Sequence, residues 1–135
     1  MGTIRAVLTA APFMAFIAVT DLASARSFYG EVLGLHVEEA NPFAVTLHSA
    51  GTTVRLTQVE HHQPQGFTVG GWEVPDLGAT IDDLVSRGVT FTRYDGMDQD
   101  ERGMWTTPSG DQVAWFKDPD GNTLSLTTLA TERRT

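Results

Sequence analysis

The chain of 135 residues contains no cysteine. Thiol catalysis, disulfides and cysteine-ligated zinc are therefore excluded. Basic residues are scarce: 9 Lys and Arg stand against 17 Asp and Glu, for a net charge of -8. That balance argues against nucleic acid, whose binding rests on cationic side chains neutralising phosphates. No run approaches the roughly 20 apolar residues of a membrane span, so no membrane partner is expected. The four histidines, at 36, 48, 61 and 62, show no HxH or HxxxH spacing. Met1 to Phe16 is mildly apolar, but Thr9 and Pro12 interrupt it. It reads as a loose arm entering the first strand rather than a signal peptide, and a cytoplasmic protein is the expectation. What is present, 41% apolar residues in a chain of one-domain length, suits a single soluble globular fold.

The chain says one thing twice. Val19-Thr20-Asp21-Leu22 recurs 55 residues later as Val74-Pro75-Asp76-Leu77, and a repeat of this kind marks a duplicated supersecondary unit. In the first copy, Met14 to Val19 reads as a buried strand. Asp21 is an N-cap. Leu22, Ala25, Phe28, Tyr29, Val32 and Leu33 recur at helical spacing, predicting a helix of about three turns that stops at Gly34. Leu35 to Glu39, Ala44 to Ser49 and Thr52 to Gln58 read as strands separated by Asn41-Pro42 and Ala50-Gly51. Glu60 to Gly66 reads as a linker. In the second copy, Phe67 to Val74 is a strand whose Gly70-Gly71 permits a bulge or a close backbone approach. Asp76 caps a helix with Leu77, Ile81, Leu84 and Val85 on one face, ended by Gly88. Strands are expected at Val89 to Tyr94, Met104 to Thr107, Gln112 to Lys117 and Thr123 to Thr128. Asp95 to Gly103 reads as a mobile acidic loop, and turns are expected at Pro108 to Asp111 and Asp118 to Asn122. Thr131 to Thr135 reads as a frayed tail.

The runs Phe16-Ile17-Ala18-Val19-Thr20-Asp21-Leu22, Ser27-Phe28-Tyr29 and Leu33-Gly34 resemble the opening module of the vicinal oxygen chelate superfamily. That group comprises glyoxalase I, bleomycin-resistance and fosfomycin-resistance proteins, and extradiol dioxygenases. Val74-Pro75-Asp76-Leu77, Arg87-Gly88-Val89 and the ending Trp115-Phe116-Lys117-Asp118-Pro119-Asp120-Gly121-Asn122 extend the resemblance over about Phe13 to Leu126. It implies an α+β fold. One domain over 12–129 would consist of two βαβββ modules, 12–59 and 66–129, curling into an incomplete barrel around a cavity. The family's enzymes draw ligands for a divalent metal from four positions. Here these correspond to Met14, Arg55, Val69 and Ser125. A thioether is soft, an alkyl group donates nothing and a guanidinium repels cations. The usual metal centre is therefore expected to be missing, and no cofactor is expected.

The residues that would line the cavity are Met14, Phe16, Arg55, Val69, Gly71, Glu73 and Ser125. Arg55 admits three readings: a clamp for a carboxylate or phosphate of the ligand, an internal pair with Glu73, or a solvated residue on an edge strand. Glu73, in an otherwise apolar strand, is either a general base raised by burial or a salt-bridged or rim residue. His61-His62 reads as loop, His48 as a surface turn or the pocket mouth, and His36 as surface. The aromatics Trp72, Trp105, Trp115, Phe16, Phe91 and Phe116, with Met14 and Met104, are core or the lining of a pocket for a flat ligand. Alternation puts Trp72 and Glu73 on opposite faces.

Three functions follow. The first, preferred here, is a metal-independent binding protein for a small aromatic or charged ligand, of the bleomycin-resistance type. The second is an isomerase- or lyase-type enzyme abstracting a proton with Arg55 as clamp and Glu73 as base. The third is a glyoxalase-like or dioxygenase-like metalloenzyme with a displaced site. A homodimer is expected in each case, because open sheets leave edges that proteins cover.

Overall fold

A computed structural model describes residues 7–130. The chain divides into two compact units, one running to His62 and the other starting at Gln63.

The first unit opens with β1 (Met14–Val19). Asp21 then caps α1 (Leu22–Arg26), its carboxylate accepting the N–H groups of Ala23 and Ser24. The chain was expected to continue as one regular helix. It widens instead into a π turn over Ser27–Val32. Leu33 N–H reaches back to the Phe28 carbonyl. Over six residues the apolar spacing does not separate the two forms. The wide turn keeps Tyr29 fully buried. It also seats Gly30 so close to Val37 that a Cβ there would lie 2.9 Å from Val37 Cγ2. Gly34 then leaves the helix at φ +80°. β2 (His36–Ala40), β3 (Ala44–Ser49) and β4 (Thr52–Gln58) complete a four-stranded sheet in the order β1-β4-β3-β2, with β1 and β4 parallel. Ile17, Val19, Val45, Leu47, Val54 and Leu56 are buried, and α1 lies against β3 and β4.

The second unit repeats the plan. β5 (Thr68–Glu73), α2 (Leu77–Ser86), β6 (Trp105–Thr106), β7 (Gln112–Lys117) and β8 (Thr123–Thr128) form a sheet in the order β5-β8-β7-β6. Asp76 caps α2 through Ala79 N–H. Leu77, Ile81 and Leu84 are buried, but Val85 is 53% exposed. Its place on the buried stripe is corrected: the stripe is narrower than the spacing suggested. Asp118 organises the turn into β8. Its Oδ1 accepts Asp120 N–H and Asn122 N–H at 2.9 Å, and its Oδ2 accepts Asn122 Nδ2–H at 2.9 Å.

Two strand expectations fail in this unit. Val89 to Tyr94 makes only an isolated bridge, Phe91 to Phe116, and Met104 to Thr107 shrinks to two residues. The reason is Gln99. Its Oε1 accepts Tyr94 N–H at 2.7 Å, while its Nε2 donates to the carbonyls of Thr92 (3.0 Å) and Gly103 (2.9 Å). One side chain thus satisfies backbone groups that a neighbouring strand would otherwise pair. The acidic loop is correspondingly well tied. Asp100 accepts the N–H groups of Arg102 and Met104, and Arg102 forms a two-pronged pair with Asp82 of α2 at 3.1 and 2.9 Å.

No helix among the described residues is long and apolar enough to cross a membrane. Of the arm before β1, Met1 to Ala6 lies outside the described residues, as does the Thr131 to Thr135 tail. Val7, Leu8 and Phe13 are exposed.

Candidate functional site

Each sheet has one face against its own helix and one turned away. Strand register fixes which residues share that open face. In the first module one row runs Phe16, Arg55, Thr46 across β1, β4 and β3, and the next runs Ala18, Thr57, Ala44. Met14 and Thr53 share the face one row the other way. Phe16 is 64% exposed and Met14 43%.

Arg55 is exposed as well. β4 lies between β1 and β3, so Arg55 is solvated, as its third reading had it, but not on an edge strand. No carboxylate of its own module pairs with it among the described residues. A cation is therefore displayed at the centre of a sheet, beside an exposed phenyl ring.

His48 belongs to this module. Its Nδ1 lies 2.9 Å from Glu38 Oε2, and its Nε2 accepts Gly51 N–H at 3.3 Å. An Nε2 that accepts carries no proton, so Nδ1 donates to the carboxylate. One ring nitrogen thereby ties β3 to β2 and the other holds the β3–β4 turn, which agrees with the surface-turn reading.

In the second module the equivalent rows are Gly71, Ser125, Trp115 and Glu73, Thr127, Val113, Trp105. The two glycines before Trp72 do both things expected of them. The register shifts between Thr68 and Gly70, so alternation from Gly71 does not carry back to Val69, which is the extra residue of the bulge. At Gly71 the backbones approach so closely that a Cβ would lie 2.2 Å from Ser125 Oγ and 2.6 Å from the Ser125 carbonyl oxygen.

Trp72 and Glu73 do take opposite faces. Trp72 stacks on buried Phe116 with centroids 6.5 Å apart, and Phe91 meets Phe116 edge-on. On the open face Trp115 meets Tyr94 edge-on at 5.5 Å and Trp105 at 6.3 Å. Alternation alone did not divide these aromatics; register does, with Phe91 and Phe116 in the core, half-buried Trp72 stacked on Phe116, and Trp105 and Trp115 on the open face.

A depression of about 320 Å³ opens along the edge strand β5, lined by Gly71, Trp72, Glu73, Ser125, Thr127 and Leu129. Gly71, Glu73 and Ser125 were named from the sequence. Thr127 follows from Ser125 by alternation and was missed, whereas nothing in the sequence marks Leu129 or Tyr94. Glu73 is exposed at its rim, so its burial is not found.

The donor set does not suit a hard or borderline divalent ion. Met14 and Arg55 share one open face, Ser125 lies on the other, and Val69 has no donor atom. Among the described residues no group of three or more His, Asp or Glu side chains is placed to hold a metal.

The fold recurs in solved proteins. A superfamily member from Sphaerobacter thermophilus, described as glyoxalase/bleomycin resistance protein/dioxygenase, matches with a TM-score of 0.67 and 29% identity, over 87% of this chain and 95% of that one. A glyoxalase/bleomycin resistance protein/dioxygenase from Alicyclobacillus acidocaldarius matches with a TM-score of 0.69 and 19% identity, covering 90% and 92%. Lactoylglutathione lyase from Agrobacterium tumefaciens matches with a TM-score of 0.62 and 18% identity, covering 88% and 93%. At 18–19% identity the last two likenesses carry fold alone. No curated protein matches the sequence. The sequence profile of the family agrees with the duplicated strand-helix-strand plan, matching residues 9–126: the chain belongs to the glyoxalase/bleomycin resistance protein/dioxygenase superfamily.

Proposed function

We propose that this protein is a metal-independent binder of a small organic molecule, held on the open face of the second module. The observation that carries the reading is the hollow at Gly71. A glycine tight against Ser125 lowers the floor beside Glu73, with Trp72, Thr127 and Leu129 completing the lining. Small sites are concave, largely apolar and furnished with a few placed polar groups. This one offers a carboxylate, two hydroxyls and an indole. The four positions where the family's enzymes place metal donors carry a thioether, a guanidinium, an alkyl group and a hydroxyl, which supports binding without a metal.

The test joins metal content to ligand response. Protein exposed to Zn, Ni, Fe and Mn and then desalted should retain no stoichiometric metal. A chelator should leave its melting temperature unchanged, and an organic ligand that raises that temperature should do so equally with chelator present. One tightly held metal per chain, or a ligand effect lost on chelation, would overturn the reading.

Homodimerisation is part of the proposal. β1 and β2 are edges of the first sheet, β5 and β6 of the second, and edges are usually covered. Val7, Leu8, Phe13, Phe16 and Phe43 are all more than 60% exposed, a surplus of apolar surface that a second copy would bury.

A further inference from the structure

We infer that the open face of the first module carries a separate small-molecule site, centred on Arg55 and fitted to an aromatic monocarboxylate. The inference stands apart from the second-module reading and shares no residue with it. Arg55 is exposed although β4 is an interior strand, with β1 on one side and β3 on the other. None of the ion pairs or side-chain hydrogen bonds among the described residues involves it.

Its surroundings do not neutralise it. Thr46 is its partner on β3, and Thr53 and Thr57 precede and follow it on the same face of β4. All three are neutral hydroxyls. Glu38, on β2, is committed to His48 Nδ1 at 2.9 Å. Glu39 is aligned with Thr46, two strands from Arg55 and so about 10 Å away at the backbone. A guanidinium keeps its charge throughout the physiological range. Its planar donor fork fits a carboxylate through two parallel bonds.

Phe16 supplies the place for an apolar body. It is the partner of Arg55 in the parallel register of β1 and β4, so the two columns are about 4.8 Å apart. Its ring is 64% exposed, and Met14, two residues earlier on the same strand, is 43% exposed. A flat ring lying along this strip places a carboxylate, one or two bonds away, over Arg55. β1 is an edge strand. A second copy covering that edge takes the outer flank of Phe16 and leaves the flank toward Arg55.

Charge sets the valence of the ligand. One guanidinium among neutral hydroxyls balances one negative charge. A phosphate monoester carries nearly two, and a chain of net charge -8 repels the surplus. In the second module the equivalent positions are Gly71 and Ser125, which offer neither a ring nor a cation.

Four probes decide the matter: phenylacetate, its neutral isostere phenylacetamide, acetate and phenyl phosphate. Each is titrated into the isotope-labelled full chain and followed by NMR. Phenylacetate should shift the Arg55 side-chain Nε–H and the amides of Thr46 and Thr57. It should bind about fivefold more tightly than phenylacetamide or acetate, and phenyl phosphate should bind no more tightly than phenylacetate. Arg55→Gln changes an exposed side chain and should leave the fold intact. It should bring phenylacetate down to phenylacetamide and leave phenylacetamide unchanged. Phe16→Ser should weaken phenylacetate and leave acetate unchanged.

Equal affinity for phenylacetate and phenylacetamide, tighter binding of phenyl phosphate, or a preference for the acid that survives Arg55→Gln would each overturn the inference. So would silence of the Arg55 resonance with phenylacetate at tens of millimolar. Shifts confined to Gly71 and Ser125 would overturn it while supporting the second-module reading, so the two fail separately.

Discussion

Replacing Gln99 with leucine should cost the second module about 2–3 kcal/mol. The side chain makes three hydrogen bonds, to Tyr94 N–H at 2.7 Å and to the carbonyls of Gly103 and Thr92 at 2.9 and 3.0 Å. Each such bond contributes about 0.5–1.5 kcal/mol net, giving a range of about 1.5–4.5 kcal/mol, and leucine removes all three. The site is only partly buried, so water recovers some of the loss, which places the expectation in the lower half of the range.

Gln99→Glu separates the donor from the acceptor role. The carboxylate still accepts from Tyr94 N–H but faces two carbonyls with no proton to give them. Its destabilisation should match or exceed that of leucine at pH 7. It should shrink as pH falls below about 5, where protonation restores one donor. Urea unfolding followed by tryptophan fluorescence gives the stabilities, and hydrogen exchange at the Tyr94 amide reports the local bond. If Gln99→Leu stayed within about 0.5 kcal/mol of the parent and the Tyr94 amide remained equally protected, Gln99 would not be what replaces the missing strand partner.

Gly71→Ala should destabilise by about 1–3 kcal/mol, because its Cβ would meet both Ser125 Oγ and the Ser125 carbonyl. Ser125→Gly should rescue it only in part, since the carbonyl at 2.6 Å remains; complete rescue in thermal unfolding would refute the backbone contact. The Asp21 carboxyl is held below its ordinary 3.8 by hydrogen bonds from Ser24 N–H, the Ser24 hydroxyl and Ala23 N–H. The folded state thus favours the ionised form, and the stability advantage of the parent over Asp21→Asn should be present above pH 4. It should be lost as pH falls through the lowered value; an advantage that grew in acid would contradict this. Light scattering at micromolar concentration should show a dimer, burying more than roughly 1,000 Å² if it is a specific interface. A species near 15 kDa, unchanged over a tenfold concentration range, would refute the homodimer.

Much of the fold was legible because its signals are local. β1, β3, β4, β7 and β8 begin and end at the residues that alternation and turn chemistry marked. Asp21 and Asp76 cap the helices they were expected to cap. The failures share a non-local cause. Val89 to Tyr94 has the apolar alternation of a strand, but a strand is a relation to a neighbour. Gln99, in a segment whose acidic composition read as solvated loop, takes the neighbour's place. The same limit governed the candidate site. The sequence named Gly71, Glu73 and Ser125, yet only register showed that Gly71 and Ser125 abut while Val69 falls into a bulge. Arg55 was assigned to a face, but not to the interior strand on which it is nonetheless exposed.

The duplication itself bears on how the hollow of the second module arises. Two copies of the same unit place equivalent residues at equivalent register, so each difference between paired rows is a difference in chemistry on a shared frame. Row by row, Phe16, Arg55 and Thr46 answer to Gly71, Ser125 and Trp115. The bulky side chain has moved from the outer strand to the third strand, and the space it left is where the depression opens. Ala18 answers to Glu73 in the adjacent row, which adds an acid beside the space. If that reasoning holds, filling the hollow from its own floor should abolish binding. Leu129, at the rim and half-buried, provides the control. Leu129→Ala should enlarge the hollow and change affinity by no more than a few fold. Gly71→Ala, where it folds, should remove binding. Undiminished affinity in a folded Gly71→Ala protein would show that the ligand lies elsewhere.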